Sequence, residues 1–78
     1  MRFDLFRDDN VFFFGEIANG CVQMWGPDEF KVSGTLKADG RFELLSEGKF
    51  FAKGHLGDRG RIELVDHAGV NYSGSTSD

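Results

Sequence analysis

Lys37, Arg41, Lys53 and Arg61 are the side chains in this sequence whose type and spacing come closest to a site. In an antiparallel meander Lys37, Arg41 and Lys53 would lie side by side on three strands, with Arg61 nearby. Like charges directly opposite one another repel. A row of this kind would therefore suit an anion such as a phosphate. The alternative is a solvated face on which Glu43 and Glu63, set diagonally, relieve the repulsion. Phe12, Phe14 and Phe51 fall on the same face by parity. Aromatic rings among cations can stack nucleic-acid bases, or they can contact residues 1–8 or a second subunit. Trp25 opens a loop beside Gly26-Pro27-Asp28, where it would either anchor an interface or cap the open end of a curled sheet.

Other chemistry finds little support. Cys21, His55 and His67 are the soft metal ligands, and their spacing matches no zinc pattern. His55 would face Glu63, half of a catalytic dyad, but no serine or cysteine nucleophile is placed beside them. The glycines sit at turns and bends rather than in a loop that cradles phosphate. No catalytic residue, metal ligand or cofactor is expected.

These side chains are positioned by a 20-residue repeat. Residues 32–45, Val32-Ser-Gly34-Thr-Leu36 through Gly40-Arg41-Phe42-Glu43-Leu44-Leu45, align without a gap on residues 52–65. The shared grammar is Gly-x-Leu, a turn, then Gly-Arg, an apolar residue, Glu, Leu and a second apolar residue. Gly74 begins a third copy, and residues 15–25 form an earlier one that is a residue shorter. A repeat sets the architecture before local propensity is weighed.

Turn chemistry accounts for the missing residue. Asn19-Gly20 suits a two-residue type I′ hairpin. Ala38-Asp39-Gly40 and Asp58-Arg59-Gly60 suit three-residue loops with glycine in the left-handed position. Ile17 then faces Val22, Leu36 faces Phe42, and Leu56 faces Ile62. Two steps on, Gly15, Gly34 and Gly54 face Met24, Leu44 and Leu64. Five-residue links would pair Met24 with Phe30, Leu44 with Phe50 and Leu64 with Val70. The strands predicted are 11–18, 21–24, 30–37, 41–44, 50–57, 61–64 and 70–74. No segment of 11–74 has a helical apolar period. Residues 1–9 would add an edge strand or a lid, and 75–78 would fray.

The sheet so built has one apolar face, from Val11 and Phe13 to Val70 and Tyr72, including Phe50. A face this wide cannot stay in water, and no helix is available to cover it. Mid-strand glycines let the sheet curl. The expected fold is all-β: an antiparallel meander of about seven strands, curled into a roll or partial barrel, as one domain over 1–78. Its edges would invite pairing, so a homo-oligomer is expected.

Composition narrows the partners. A net charge of −4 argues against nucleic acid and anionic lipid. There is one cysteine, and no signal peptide or apolar run long enough to span a membrane. A cytoplasmic setting is expected.

The end of the chain also carries a resemblance. Gly60 followed by Gly69-Val-Asn-Tyr72-Ser-Gly74 resembles the MORN repeat, in which a glycine and a short strand precede Gly-x-x-Tyr-x-Gly. Asn10-Val-Phe-Phe13-Phe-Gly15 looks like a weaker copy. The middle copies depart from it, with Val32 and Ala52 where the family has tyrosine. The resemblance implies a β-meander scaffold for protein or lipid contact, without catalysis. The sequence therefore points to a self-associating, non-catalytic interaction module. Binding of a small ligand or anion is the alternative, and weak single-strand nucleic-acid binding is a third reading.

Overall fold

Glycine recurs on alternate strands, and this lets the sheet close on itself. The computed structural model describes residues 1–77. Its strands are β1 (Arg2–Arg7), β2 (Phe12–Ala18), β3 (Cys21–Trp25), β4 (Lys31–Leu36), β5 (Arg41–Ser46), β6 (Lys49–Leu56), β7 (Arg61–Asp66) and β8 (Asn71–Ser77). Each pairs antiparallel with the next, and β8 pairs back onto β1, so the meander is a closed barrel. A single 3₁₀ turn, Asp58–Gly60, links β6 to β7.

Inward positions alternate between absent and large side chains. Gly15 on β2 lies between Phe3 and Met24, and Gly34 on β4 lies between Val22 and Leu44. Gly54 on β6 lies between Phe42 and Leu64, and Gly74 on β8 between Leu5 and Ile62. A Cβ at Gly34 or Gly54 would collide with the backbone carbonyl of Glu43 or Glu63. The repeated glycine thus allows neighbouring strands to approach closely enough for a small barrel to close around a filled interior. That interior holds Phe3, Leu5, Phe13, Val22, Met24, Phe42, Leu44, Ile62, Leu64 and Tyr72, and among the described residues it contains no buried charged group.

The hairpins 17–22, 36–42 and 56–62 pair in the expected register. Asn19 and Gly20 both have positive φ, as a type I′ turn requires. The return links differ. Met24 faces Val32, Leu44 faces Ala52 and Leu64 faces Tyr72, each two residues beyond the expected partner. β3, β5 and β7 run further than expected because the turns that follow them are tighter or lie later. Glu47-Gly48, both at positive φ, closes β5 onto β6. His67-Ala68-Gly69 closes β7 onto β8, with the Gly69 N–H donating to the Asp66 carbonyl at 2.9 Å. An even slip keeps every side chain on its face, so most of the expected core survives.

One odd step does not preserve the faces. Leu44 pairs with Ala52 while Leu45 pairs with Phe50, which leaves Phe51 as an extra residue in a β-bulge. Phe51 turns inward, 9% exposed, and Phe50 turns out, 44% exposed. The expected order of these two residues is reversed. The bulged Phe51 carbonyl accepts the His67 N–H at 2.9 Å, which fastens the bulge to the β7–β8 loop.

Both chain ends differ from expectation. Residues 2–7 are a full strand between β2 and β8, not an edge or a lid. Residues 75–77 do not fray: Ser75, Thr76 and Ser77 face Asp4, Phe3 and Arg2. Residue 78 lies outside the described residues. Among those residues no helix is long and apolar enough to cross a membrane.

Candidate functional site

The outer face of β1–β3 carries the least expected surface of the barrel. On β2 the run Phe12-Phe13-Phe14 alternates out, in, out. Cross-strand pairing sets Phe6 of β1 beside Phe12, and Trp25 of β3 beside Phe14. The ring centroids step 5.4 Å from Phe6 to Phe12, 6.0 Å to Phe14 and 5.7 Å to Trp25. Phe12 and Phe14 lie within 20° of parallel, and Phe14 and Trp25 within 28°. The three phenylalanines are 45–49% exposed, and Trp25 is half-buried. Together they form a ladder of rings on the outside of a barrel whose interior is filled separately.

A groove of about 230 Å³ lies at this ladder, lined by Phe12, Phe14 and Trp25 together with Arg2, Asp4 and Glu16. Its floor reaches Gly15 and Phe3. Arg2 Nε lies 3.9 Å from Glu16 Oε1, with both side chains mostly in solvent. Asp4 faces Phe14 across the strands and has no ion-pair partner within 4 Å among the described residues. Such a surface can stack flat apolar groups and attract a cation. It contains no nucleophile.

Phe12, Phe14 and Trp25 are thus brought together as candidate contact residues, whereas Phe51 leaves the set because the bulge buries it. Phe6 completes the strip. Its parity with Arg2 and Asp4 already marked it as outward-facing once residues 2–7 were known to form a strand.

The basic row does not form. The two-residue slip sets Arg41 opposite His55, and Lys53 opposite Glu43. Lys37 stays beside Arg41 at the β4–β5 hairpin, where the Lys37 N–H donates to the Arg41 carbonyl at 2.9 Å. Arg41 is occupied by Asp39, Nε to Oδ2 at 2.8 Å, and the Arg41 backbone N–H helps hold the Asp39 carboxyl below its ordinary range. Arg61 lies opposite Ser75, 3.5 Å from Glu63. With Lys53 opposite Glu43 and Arg41 paired with Asp39, most of the repulsion that would have called for an anion is relieved. His55 does face Glu63, while His67 sits in the β7–β8 loop and Cys21 is exposed at the start of β3.

A second polar cluster closes one end of the barrel. Asp66 Oδ1 accepts the N–H groups of Ala68 and Val70 at 2.9 and 3.0 Å, and Oδ2 accepts the Tyr72 hydroxyl at 2.9 Å. Burial works against the Asp66 carboxylate, but these donors outweigh it and hold the carboxyl below its usual range. Burial and the bond to Asp66 push the Tyr72 hydroxyl up to about 12. Nearby, Arg7 grips Asp9 through Nε at 2.9 Å and Nη2 at 2.8 Å, and lies 5.5 Å from the centre of the Phe13 ring. The bonded Asp9 raises the Arg7 pKa, and Arg7 lowers that of Asp9. Every polar group in this cluster serves a turn or a ring, so its role is structural.

No protein-family model, curated protein or solved structure matches this chain.

Proposed function

We propose that this protein is a non-catalytic interaction module that docks a segment of a partner protein on the outer aromatic ladder of β1–β3. The observation that carries this reading is the half-exposure of Phe6, Phe12 and Phe14 in one contiguous strip while the core is filled by other residues. Contiguous exposed apolar surface with a polar rim is the usual mark of a contact site. The MORN resemblance of residues 60–74 points to the same class of role.

The other readings have less support. Self-association was expected because a broad apolar sheet face needed cover, and barrel closure now covers that face. Three half-exposed phenylalanines offer roughly 300 Å², at about 150–250 Å² for a whole aromatic side chain. A stable dimer buries about 800 Å² per partner, so the strip suits a peptide better than a second copy. Single-strand nucleic acid would meet Asp4 and Glu16 beside the rings, the wrong sign for phosphate. An anion would find Arg41 and Arg61 already paired. A ligand inside the barrel would have to displace the core side chains.

Selection from a random-sequence peptide library tests the docking surface. Trp25 is the single tryptophan and reports contact through its emission. The expected result is a set of peptides that shift Trp25 emission and lose at least about tenfold in affinity on Phe14→Ala. Peptides that bind equally well to the Phe14→Ala protein would place the contact elsewhere and overturn the reading.

A further inference from the structure

We infer that the occupant of this strip is a proline-rich segment in polyproline II conformation that carries an arginine or lysine beside its prolines. The inference rests on the docking reading above and names its partner chemistry. It starts from the closure of the barrel. β1, β2 and β3 are each hydrogen-bonded on both sides, so no edge is free to accept an added strand. A bound peptide gains no main-chain ladder and must bind through its side chains. Polyproline II is the extended form suited to that condition, because its backbone needs no ladder and proline limits the freedom lost on binding.

The rings offer such a segment an apolar surface. Phe12, Phe14 and Trp25 stand nearly parallel at steps of 6.0 and 5.7 Å, so they form one continuous aromatic surface on which proline rings can pack. Carboxylates beside the rings supply the charge. Asp4 has no ion-pair partner within 4 Å among the described residues, and Glu16 is only loosely engaged by Arg2 at 3.9 Å. A cation next to the proline steps would meet these carboxylates, and the chain's net charge of −4 would draw it in.

The test is a titration of the full chain, followed by Trp25 emission, with three synthetic peptides. The first has one arginine flanking two x-Pro steps, the second replaces its prolines with alanine, and the third replaces its arginine with alanine. The expected result is saturable binding of the first peptide. The proline-free peptide should bind at least about tenfold more weakly, as should the first peptide with the Phe14→Ala protein. Asp4→Asn should weaken the arginine peptide and leave the arginine-free peptide unchanged, the signature of a direct pair. Equal binding of the proline-free peptide, or an Asp4→Asn effect independent of the arginine, overturns the proposed chemistry. If library peptides without proline bind with Phe14 dependence and the proline peptide does not, the inference fails and the docking surface stands. If no peptide moves Trp25, both fall. A doubling of mass in sedimentation that Phe14→Ala abolishes would give the strip to a second copy and overturn the inference.

Discussion

Tyr72 donates its hydroxyl proton to Oδ2 of Asp66 across 2.9 Å, which ties a buried ring at one end of the barrel to the loop that closes that end. The same carboxylate accepts two backbone N–H groups of its own loop. The ring packs edge-on to Phe13 at 5.3 Å and against Phe51 at 6.2 Å. Turn geometry, ring packing and two ionisation equilibria are therefore coupled at this point.

Tyr72 is the single tyrosine, so tyrosinate absorbance reports it alone. It should ionise near 12 in the folded protein, against about 10 in an unfolded chain. A folded pKa raised in this way contributes stability that is fully present below about 10 and is lost as pH rises through about 12. Chemical denaturation across that window should show the loss, and Tyr72→Phe should flatten it. Ordinary titration near 10 with the fold intact would contradict the burial and bonding described.

Asp66 gives the opposite slope. Its carboxyl is held below the ordinary range, so its contribution is present above the unfolded value, about 3.9, and is lost as pH falls through the lower folded value. Asp66→Ala should cost about 1–3 kcal/mol at neutral pH, because it leaves the Tyr72 hydroxyl and two N–H groups without their acceptor. It should also reduce the acid dependence of the melting temperature. An unchanged acid profile would assign that dependence to other carboxylates.

The bulge at Leu44 and Leu45 makes neighbouring phenylalanines unequal. Phe51→Ala empties a site at the barrel mouth that Phe30 and Tyr72 line, and should cost about 3–5 kcal/mol. Phe50→Ala removes a ring that is 44% exposed and should cost about 1 kcal/mol or less. Urea denaturation of both variants decides the matter. The reverse order would mean that the strand pairs without the bulge.

Glycine at two positions should fail in different ways. Gly54→Ala drives a methyl group into the Glu63 carbonyl and Leu64, and should cost about 1–3 kcal/mol or more through overpacking. At Gly48 a methyl group meets nothing within 4 Å, but φ is +82°, so alanine there should cost only about 1 kcal/mol of backbone strain. Equal costs would argue against the close approach of β6 and β7.

Much of the core was legible because side-chain parity survives an even slip. Met24, Leu44 and Leu64 are inward whether they face Phe30, Phe50 and Val70 or Val32, Ala52 and Tyr72. The candidate anion row did not survive, because its existence depended on which outward residues were directly opposite. The same two-residue shift that leaves Leu44 in the core moves Lys53 from Arg41 to Glu43. Of the aromatic set, Phe12 and Phe14 were readable from their alternation with Phe13. Phe51 is not, because the bulge falls where turn spacing predicts a loop over 45–49, whereas Leu45 and Ser46 pair with Phe50 and Lys49.

By itself the sequence determined the hairpins that turn chemistry closes, Ile17 on Val22, Leu36 on Phe42 and Leu56 on Ile62, because a turn constrains only the few residues around it. It also determined the recurring inward glycine that allows curvature. Only the tertiary structure decided that the curvature completes a circle, with Leu5 against Gly74 and Phe3 against Thr76, pairs that join opposite ends of the chain. Closure depends on the summed twist and stagger of eight strands, a property that no single segment carries. Closure also decided the outer surface. By sealing the broad apolar face and leaving β1 beside β2, it gathered Phe6, Phe12, Phe14 and Trp25 into the aromatic strip that remains in solvent.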